Sequence, residues 1–329
     1  MKPTIAVLLG DASGIGPEMA VKLLARPGNC EAAQLLLIAD PLALESGERI
    51  AGQRLDPVRV DSLDALRFKP GRPSLLAQDT LQGRAPVLGE SSEHSGRAAF
   101  EALQLATDAV RRKRVNGIVF APFNKHSLRL GGLTQEDELR YMQERLDVSG
   151  FVCEFNITGK LWTSRVTSHV PLRDVASLIT GPAIHDAVRI IRDALRSAGV
   201  AAPRIAVSGL NPHAGDGGSI GREEIDIIEP AVRALQGQGI DARGPYSPDT
   251  VFIGARRGDF DAVVSMYHDQ GQIAMKLMGF EQGVTLHGGL PVPVATCASG
   301  SAFDIAGKGV ANVEGLQRAF ELCVRMARP

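Results

Sequence analysis

The sequence lacks net charge, long apolar runs and any regular cysteine pattern, and each lack excludes a class of function. Lys and Arg number 36 against 37 Asp and Glu, a formal net charge of −1. No overall field favours a polyanion, and no basic stripe with interleaved aromatics supplies one locally. The run Arg111, Arg112, Lys113, Arg114 falls at the end of a predicted helix, where cations complement the helix dipole. No apolar stretch approaches the ~18 residues needed to span a bilayer. The opening MKPTIAVLLGD is cut by Asp11 and is too short for a signal segment. Cys30, Cys153, Cys297 and Cys323 are scattered with no C-x-x-C pair, which excludes a disulfide framework or zinc ribbon and suits a reducing compartment. The expectation is a soluble, cytoplasmic protein that engages neither nucleic acid nor membrane. G-x-S-x-G, P-loop and H-E-x-x-H signatures are also missing.

What is present is an ordinary globular composition, 44% apolar and 22% charged, in 329 residues. That length suits two domains. Val- and Ile-rich runs at 4–9, 34–39, 117–121, 205–208 and 262–266 are continuous rather than alternating, the pattern of strands buried on both faces of a mostly parallel sheet. Helical stripes lie between them. In 182–199, Ile184, Val188, Ile191, Leu195 and Ala198 share a face and Gly199 stands at the C-terminus. In 96–114 the stripe is Ala99, Leu103, Ala106 and Val110. The fold class is therefore α/β. The stretch 69–94 reads as loop, and 131–137 as a turn-rich break before a helix ending near Val148.

In such sheets ligands gather at the carboxyl ends of strands. Three of the seven histidines, His169, His213 and His268, follow strand-like runs. Neutral imidazoles suit a borderline ion such as Zn²⁺, and three protein ligands leave room for substrate. Each taken singly reads equally as a surface or hydrogen-bonded histidine. Asp216 and Asp269 lie close to His213 and His268, and could orient the imidazoles or serve as turn residues. Lys276, eight residues after His268, is a candidate for charge or proton management. GDASGIGPEM opens a helix with Pro17 at its start. Its glycines do not make the dinucleotide fingerprint, which leaves an anion-binding helix N-terminus as its ligand reading.

Taken together, GDASGIGPE, APFNK, TSHVPLRDV, GLNPHAGDGG, SPDTVF and MYHDQGQIAMK resemble, in order, the blocks of the 4-hydroxythreonine-4-phosphate dehydrogenase family. The likeness covers nearly the whole chain. It implies an NAD- or NADP-linked, divalent-metal dehydrogenase (Zn, Mg, Mn or Co) that is a homodimer. It also implies two α/β lobes with mostly parallel sheets, similar to isocitrate and isopropylmalate dehydrogenases. The lobes would be 1–130 with 300–329, and 131–299 carrying the dimer interface, with the site in the cleft. His169, His213 and His268 match the metal ligands, His268 reaching the site across the dimer. Asp249 and Lys276 match substrate-contacting positions. ASGSAFDIAGKGVANV resembles the nucleotide-contacting block of the wider group, which implies Ser299, Gly300 and Asp304 as cofactor contacts. The chemistry implied is oxidation of a secondary alcohol assisted by the metal, followed by loss of CO₂ where a carboxylate lies β to the new ketone.

The chain also departs from the family. GGLTQEDELRYM replaces the G-H-T-E motif, Thr285 an asparagine, Val294 an arginine and Ser299 a histidine. Phosphate recognition normally needs convergent cations or N–H donors, so these departures predict a substrate other than 4-hydroxythreonine 4-phosphate. Thr285, His287 and Arg140 become the candidate contacts for it. The alternatives are 4-hydroxythreonine-4-phosphate dehydrogenase itself, a phosphotetronate or aromatic cis-dihydrodiol carboxylate dehydrogenase, a metal-dependent lyase or hydrolase without NAD, and a non-catalytic binding protein.

Overall fold

The computed structural model describes residues 2–279 and 282–327. The chain divides into two compact units, residues 1–149 with 290–329, and residues 150–289. The first unit holds β1 (Thr4–Leu8), β2 (Gln34–Ala39), β3 (Val58–Val60), β4 (Ser74–Ala77) and β5 (Gly117–Phe120). The second holds β6 (Cys153–Thr158), β7 (Leu161–Arg165), β8 (Ile205–Ser208), β9 (Ala242–Tyr246), β10 (Ala262–Ser265) and β11 (Val284–Gly288). The chain then returns to the first unit for β12 (Val294–Cys297).

In the first unit the strands run in the order β3-β4-β2-β1-β5-β12, every neighbouring pair parallel. β1, β5 and β12 are buried along their whole length, which is why β1 and β5 read as continuous apolar runs. The helix Glu93–Arg111 covers this sheet with Ala99, Leu103, Ala106 and Val110 buried. It starts ahead of the predicted 96 because the Ser92 side chain caps Ser95 N. It stops where Lys113 turns to φ 54°, and the cations that follow pair with Asp64, Arg114 at 2.9 Å. Residues 131–149, expected in the second lobe, cluster with the first. Leu133, Tyr141 and Met142 join its apolar core, and Phe100 meets the Tyr141 ring edge-on at 5.0 Å. The predicted loop 69–94 contains β4, registered with β2 from Ser74↔Leu36 to Ala77↔Ala39.

The second unit runs β11-β6-β7-β10-β8-β9. β7, β10, β8 and β9 are parallel neighbours, whereas β6 is antiparallel to both β7 and β11. The helix Gly181–Ser197 buries Ile184, Val188, Ile191 and Leu195, the predicted stripe, and Thr180 caps its start. Gly199, at φ 100°, ends it. Because β7, β10 and β8 run side by side in one direction, the segments leaving their carboxyl ends lie together.

Candidate functional site

Those three segments carry the three histidines. His169 follows β7, His213 follows β8, and His268 follows β10 as the first residue of the helix His268–Gly279. The His169 and His268 rings lie with centroids 5.7 Å apart and planes at 45°. A ring whose nitrogen binds zinc has its centroid about 3.2 Å from the ion, so two ligands at a tetrahedral angle have centroids about 5 Å apart. The observed pair fits that donor set. The two rings belong to one chain. His268 Nδ1 is 2.7 Å from Asp269 Oδ1, which places the ring proton on Nδ1 and leaves Nε2 to ligate. Among the described residues, His213 does not complete with these two a set of ligand atoms all within 4.8 Å of one another.

His213 opens a run of left-handed backbone. His213, Ala214 and Asp216 have φ of 54°, 53° and 44°, continued by Gly215, Gly217 and Gly218. Non-glycine residues resist that region by roughly 1–3 kcal/mol each and hold it only where the surroundings enforce it. The turn is built against Glu224, a carboxylate 2% exposed. Its Oε1 accepts from Leu210 N and Asn211 N, both at 2.7 Å, and its Oε2 from Asn211 Nδ2 at 2.9 Å. Gly215 lets the loop close over it, since a Cβ there would stand 2.7 Å from Glu224 Oε2. Burial works to raise the Glu224 pKa, but the hydrogen bonds from Asn211 and Leu210 outweigh it and hold the carboxyl below its usual range. Asp249 follows β9, its Oδ1 accepting from Ser247 Oγ at 2.6 Å. That hydrogen bond, with a smaller contribution from the charge of nearby His213, lowers its pKa. Of the two aspartates proposed to orient imidazoles, Asp269 does so; Asp216 instead accepts from Ser219 Oγ at 3.0 Å, the turn role.

Sequence reasoning missed Glu224, 13 residues beyond Asn211 and outside any recognisable spacing. It also missed Arg165, a buried cation at the end of β7 that joins Glu154 (3.0 Å) to Ser168 (2.9 Å), the residue before His169. Lys276 is exposed on the helix His268–Gly279, about 12 Å of helix rise from His268. Thr285 pairs with Asn156 and His287 with Glu154 across β11 and β6; His287 is buried in the strand. Arg140 is exposed in the first unit, its Nη1 2.8 Å from Gln143 Oε1.

Ser299, Gly300 and Asp304 belong to the first unit, in the segment that follows β12. Asp304 lies exposed in a short 3₁₀ turn. The segment is stapled to the helix Gly16–Leu24. Ala311 N donates to Glu18 Oε1 at 2.8 Å, while Lys22 Nζ donates to that carboxylate and to the carbonyls of Gly309 and Ala311. GDASGIGPEM is itself packed shut and not open to an anion. Residues 11–20 are all buried, Ile15 N donates to Ser301 O at 3.0 Å, and a Cβ on Gly14 would stand 2.6 Å from that oxygen. Burial pushes the Asp11 carboxyl up.

The family model for pyridoxal phosphate biosynthetic protein PdxA matches residues 31–323. The chain belongs to the PdxA family. A Pseudomonas aeruginosa protein named for 4-hydroxythreonine-4-phosphate dehydrogenase activity is 50% identical over 329 residues, 99% of this chain and 97% of its own. D-threonate 4-phosphate dehydrogenase of Cupriavidus necator is 38% identical over 333 residues, covering 99% and 98%. The solved 4-hydroxythreonine-4-phosphate dehydrogenase of Klebsiella pneumoniae superposes with a TM-score of 0.83 at 34% identity, covering 100% of this chain and 99% of that one. PdxA membership supports an NAD(P)-dependent dehydrogenase and the two-lobed α/β fold. Among the described residues, no helix is long and apolar enough to cross a membrane.

The expectation of a different substrate is overturned. The name that recurs among the full-length PdxA relatives and solved structures is 4-hydroxythreonine-4-phosphate dehydrogenase, which favours that substrate. The physical reason is visible at Val294. It is fully buried in β12, registered with Ile118 and part of the apolar core. A side chain there meets core atoms, not a ligand, so its identity carries no information about phosphate. Anion recognition also sums over several donors, and subtracting a few residues from a motif does not count those that remain.

Proposed function

We propose that this chain oxidises 4-hydroxythreonine 4-phosphate with NAD or NADP, as a homodimer, with a divalent ion (zinc, magnesium, manganese or cobalt) held by His169, His213 and His268. The observation that carries the reading is the His169–His268 pair, its Nδ1 side fixed by Asp269, in a chain that matches PdxA along its length. A divalent ion supplies Lewis acidity that lowers the pKa of an alcohol, and the nicotinamide supplies the hydride acceptor.

The protein's own groups do the rest. Asp269 keeps the His268 proton on Nδ1. Asp249, held anionic beside His213, is suited to accept from the substrate ammonium. Lys276, on the same helix as His268, is the candidate for proton or charge management at the substrate. Ser299, Gly300 and Asp304 contact the nucleotide on a segment fixed by Glu18 and Lys22. Oxidation of the substrate alcohol at C3 would release one proton, with the nicotinamide as the hydride acceptor. The product is a β-keto acid, which loses CO₂ and takes a proton at the carbon left behind.

The dimer reading rests on exposed apolar side chains. Among the described residues, eight of the eleven exposed large hydrophobics lie in the second unit. Leu172 follows His169, Ile220 and Ile225 follow the His213 turn, and Ile273 and Leu277 continue the His268 helix. Exposed apolar side chains on one unit suit an association surface, and a second copy of this chain is the partner proposed for it.

The test is NAD(P)H formation from 4-hydroxythreonine 4-phosphate before and after stripping divalent ions with a chelator. Loss on stripping, recovery on re-addition, and an inactive His213→Ala variant are expected. Full activity in stripped protein, or in His213→Ala, would overturn the reading.

A further inference from the structure

Gln270 lies two residues beyond His268, and its side-chain amide is used at both ends. Its Oε1 accepts from Met266 N at 2.7 Å, closing the turn that presents His268. Its Nε2 donates to Gly209 O at 2.9 Å, at the end of β8. Gly209 is the root of the His213 turn. Its N–H is bound by Tyr246 O at 2.7 Å, and the next two N–H groups, of Leu210 and Asn211, go to Glu224. On the other side, Met266 O accepts from both Thr167 N (3.1 Å) and Thr167 Oγ1 (2.8 Å), two residues before His169. A continuous hydrogen-bonded frame therefore runs from the His169 turn through Met266 and Gln270 to Gly209, Glu224 and the His213 turn. Backbone carbonyls and amides form most of it; Gln270 is the side chain that bridges the His268 turn to the His213 turn.

We propose that Gln270 is a positioning residue that braces both the turn that presents His268 and the root of the His213 turn, and so tunes affinity for a divalent ion. The role needs an amide. It must accept from one backbone N–H and donate to one backbone carbonyl at a separation fixed by the two strands. A carboxylate of the same shape could take the first bond but would face Gly209 O with a second acceptor, and a thioether offers neither bond. The left-handed backbone of His213, Ala214 and Asp216 makes this link consequential, because a turn held in a disfavoured conformation relaxes when a restraint is removed.

The inference rests on the histidine reading above, and its test separates the two. Gln270→Glu and Gln270→Met are prepared metal-free beside wild type and His169→Ala, and Co²⁺ binding is measured by calorimetry and by the visible spectrum of the bound ion. Groups that orient ligands without touching the ion typically change metal affinity 10–100-fold. Both Gln270 variants should therefore bind Co²⁺ at least about tenfold more weakly, with the metal-free Tm close to wild type and the KM for the nucleotide unchanged. Wild-type Co²⁺ affinity in either folded variant overturns the proposal. The crystal structure of metal-free Gln270→Met gives a readout that needs no ion. The His213–Gly218 backbone should be displaced relative to His268, and an unmoved turn refutes the positioning role whatever the Co²⁺ result. Undiminished Co²⁺ binding by His169→Ala would instead refute the histidine site itself.

Discussion

Replacing Glu224 with alanine should destabilise the second unit and release the His213 turn. The carboxylate is nearly inaccessible and accepts three hydrogen bonds, from Leu210 N, Asn211 N and Asn211 Nδ2. A buried donor left without its partner costs about 1–3 kcal/mol. Three such donors, partly relieved by water entering the space, give a cost of about 3–5 kcal/mol, which for a domain of this size lowers Tm by roughly 10 °C. The pH dependence supplies an independent check. Hydrogen bonds hold the Glu224 pKa below its unfolded value of 4.5, so the unfolded chain binds the proton more readily. Glu224 therefore contributes its full stabilisation above the unfolded pKa, and that contribution is lost as pH falls through the folded pKa. Calorimetry from pH 7 downward should show a constant Tm gap between wild type and Glu224→Ala at neutral pH, narrowing below about pH 4.5. A variant within 1 kcal/mol of wild type at pH 7, or a gap that widens on acidification, would refute the reasoning.

Asp269→Asn should bind divalent ions about 10–100-fold more weakly with Tm unchanged, because the exposed carboxylate acts on the His268 ring and not on the core; calorimetric titration with Zn²⁺ measures it. Leu277→Glu should shift the protein from dimer to monomer in analytical ultracentrifugation, since it places a charge on the apolar surface beside the His268 helix. Lys22→Met should raise the KM for the nucleotide several-fold while leaving metal affinity intact, because it frees the carbonyls of Gly309 and Ala311 in the first unit, whereas the three histidines belong to the second. Steady-state kinetics with the nucleotide as the varied substrate checks it.

The α/β architecture was legible because β1, β5, β8 and β10 are buried along their length and so appear as continuous, largely apolar runs. The antiparallel strand β6 was not, since it alternates, with Cys153, Phe155 and Ile157 buried and Glu154, Asn156 and Thr158 less so; a search for continuous runs passes over that period-two pattern. β4 was hidden by the prolines and glycines around it, and pairing with β2 makes it a strand. The histidines could be singled out by their places after parallel strands. The groups that shape their turns could not. Glu224 acts across 13 residues, and Gln270 acts on backbone atoms 61 residues away. Val294 shows the opposite error, a substitution treated as meaningful for substrate that the fold buries in the core.

The central claim is tested most directly by kcat/KM for 4-hydroxythreonine 4-phosphate in metal-loaded protein, measured beside D-threonate 4-phosphate with both nicotinamide cofactors and with CO₂ release followed in parallel. The account predicts turnover of 4-hydroxythreonine 4-phosphate at ~10⁴ M⁻¹s⁻¹ or above, one CO₂ released per NAD(P)H formed, and the lower value for D-threonate 4-phosphate. Faster turnover of D-threonate 4-phosphate, or no NAD(P)H from 4-hydroxythreonine 4-phosphate in protein whose histidine site is filled, would contradict it.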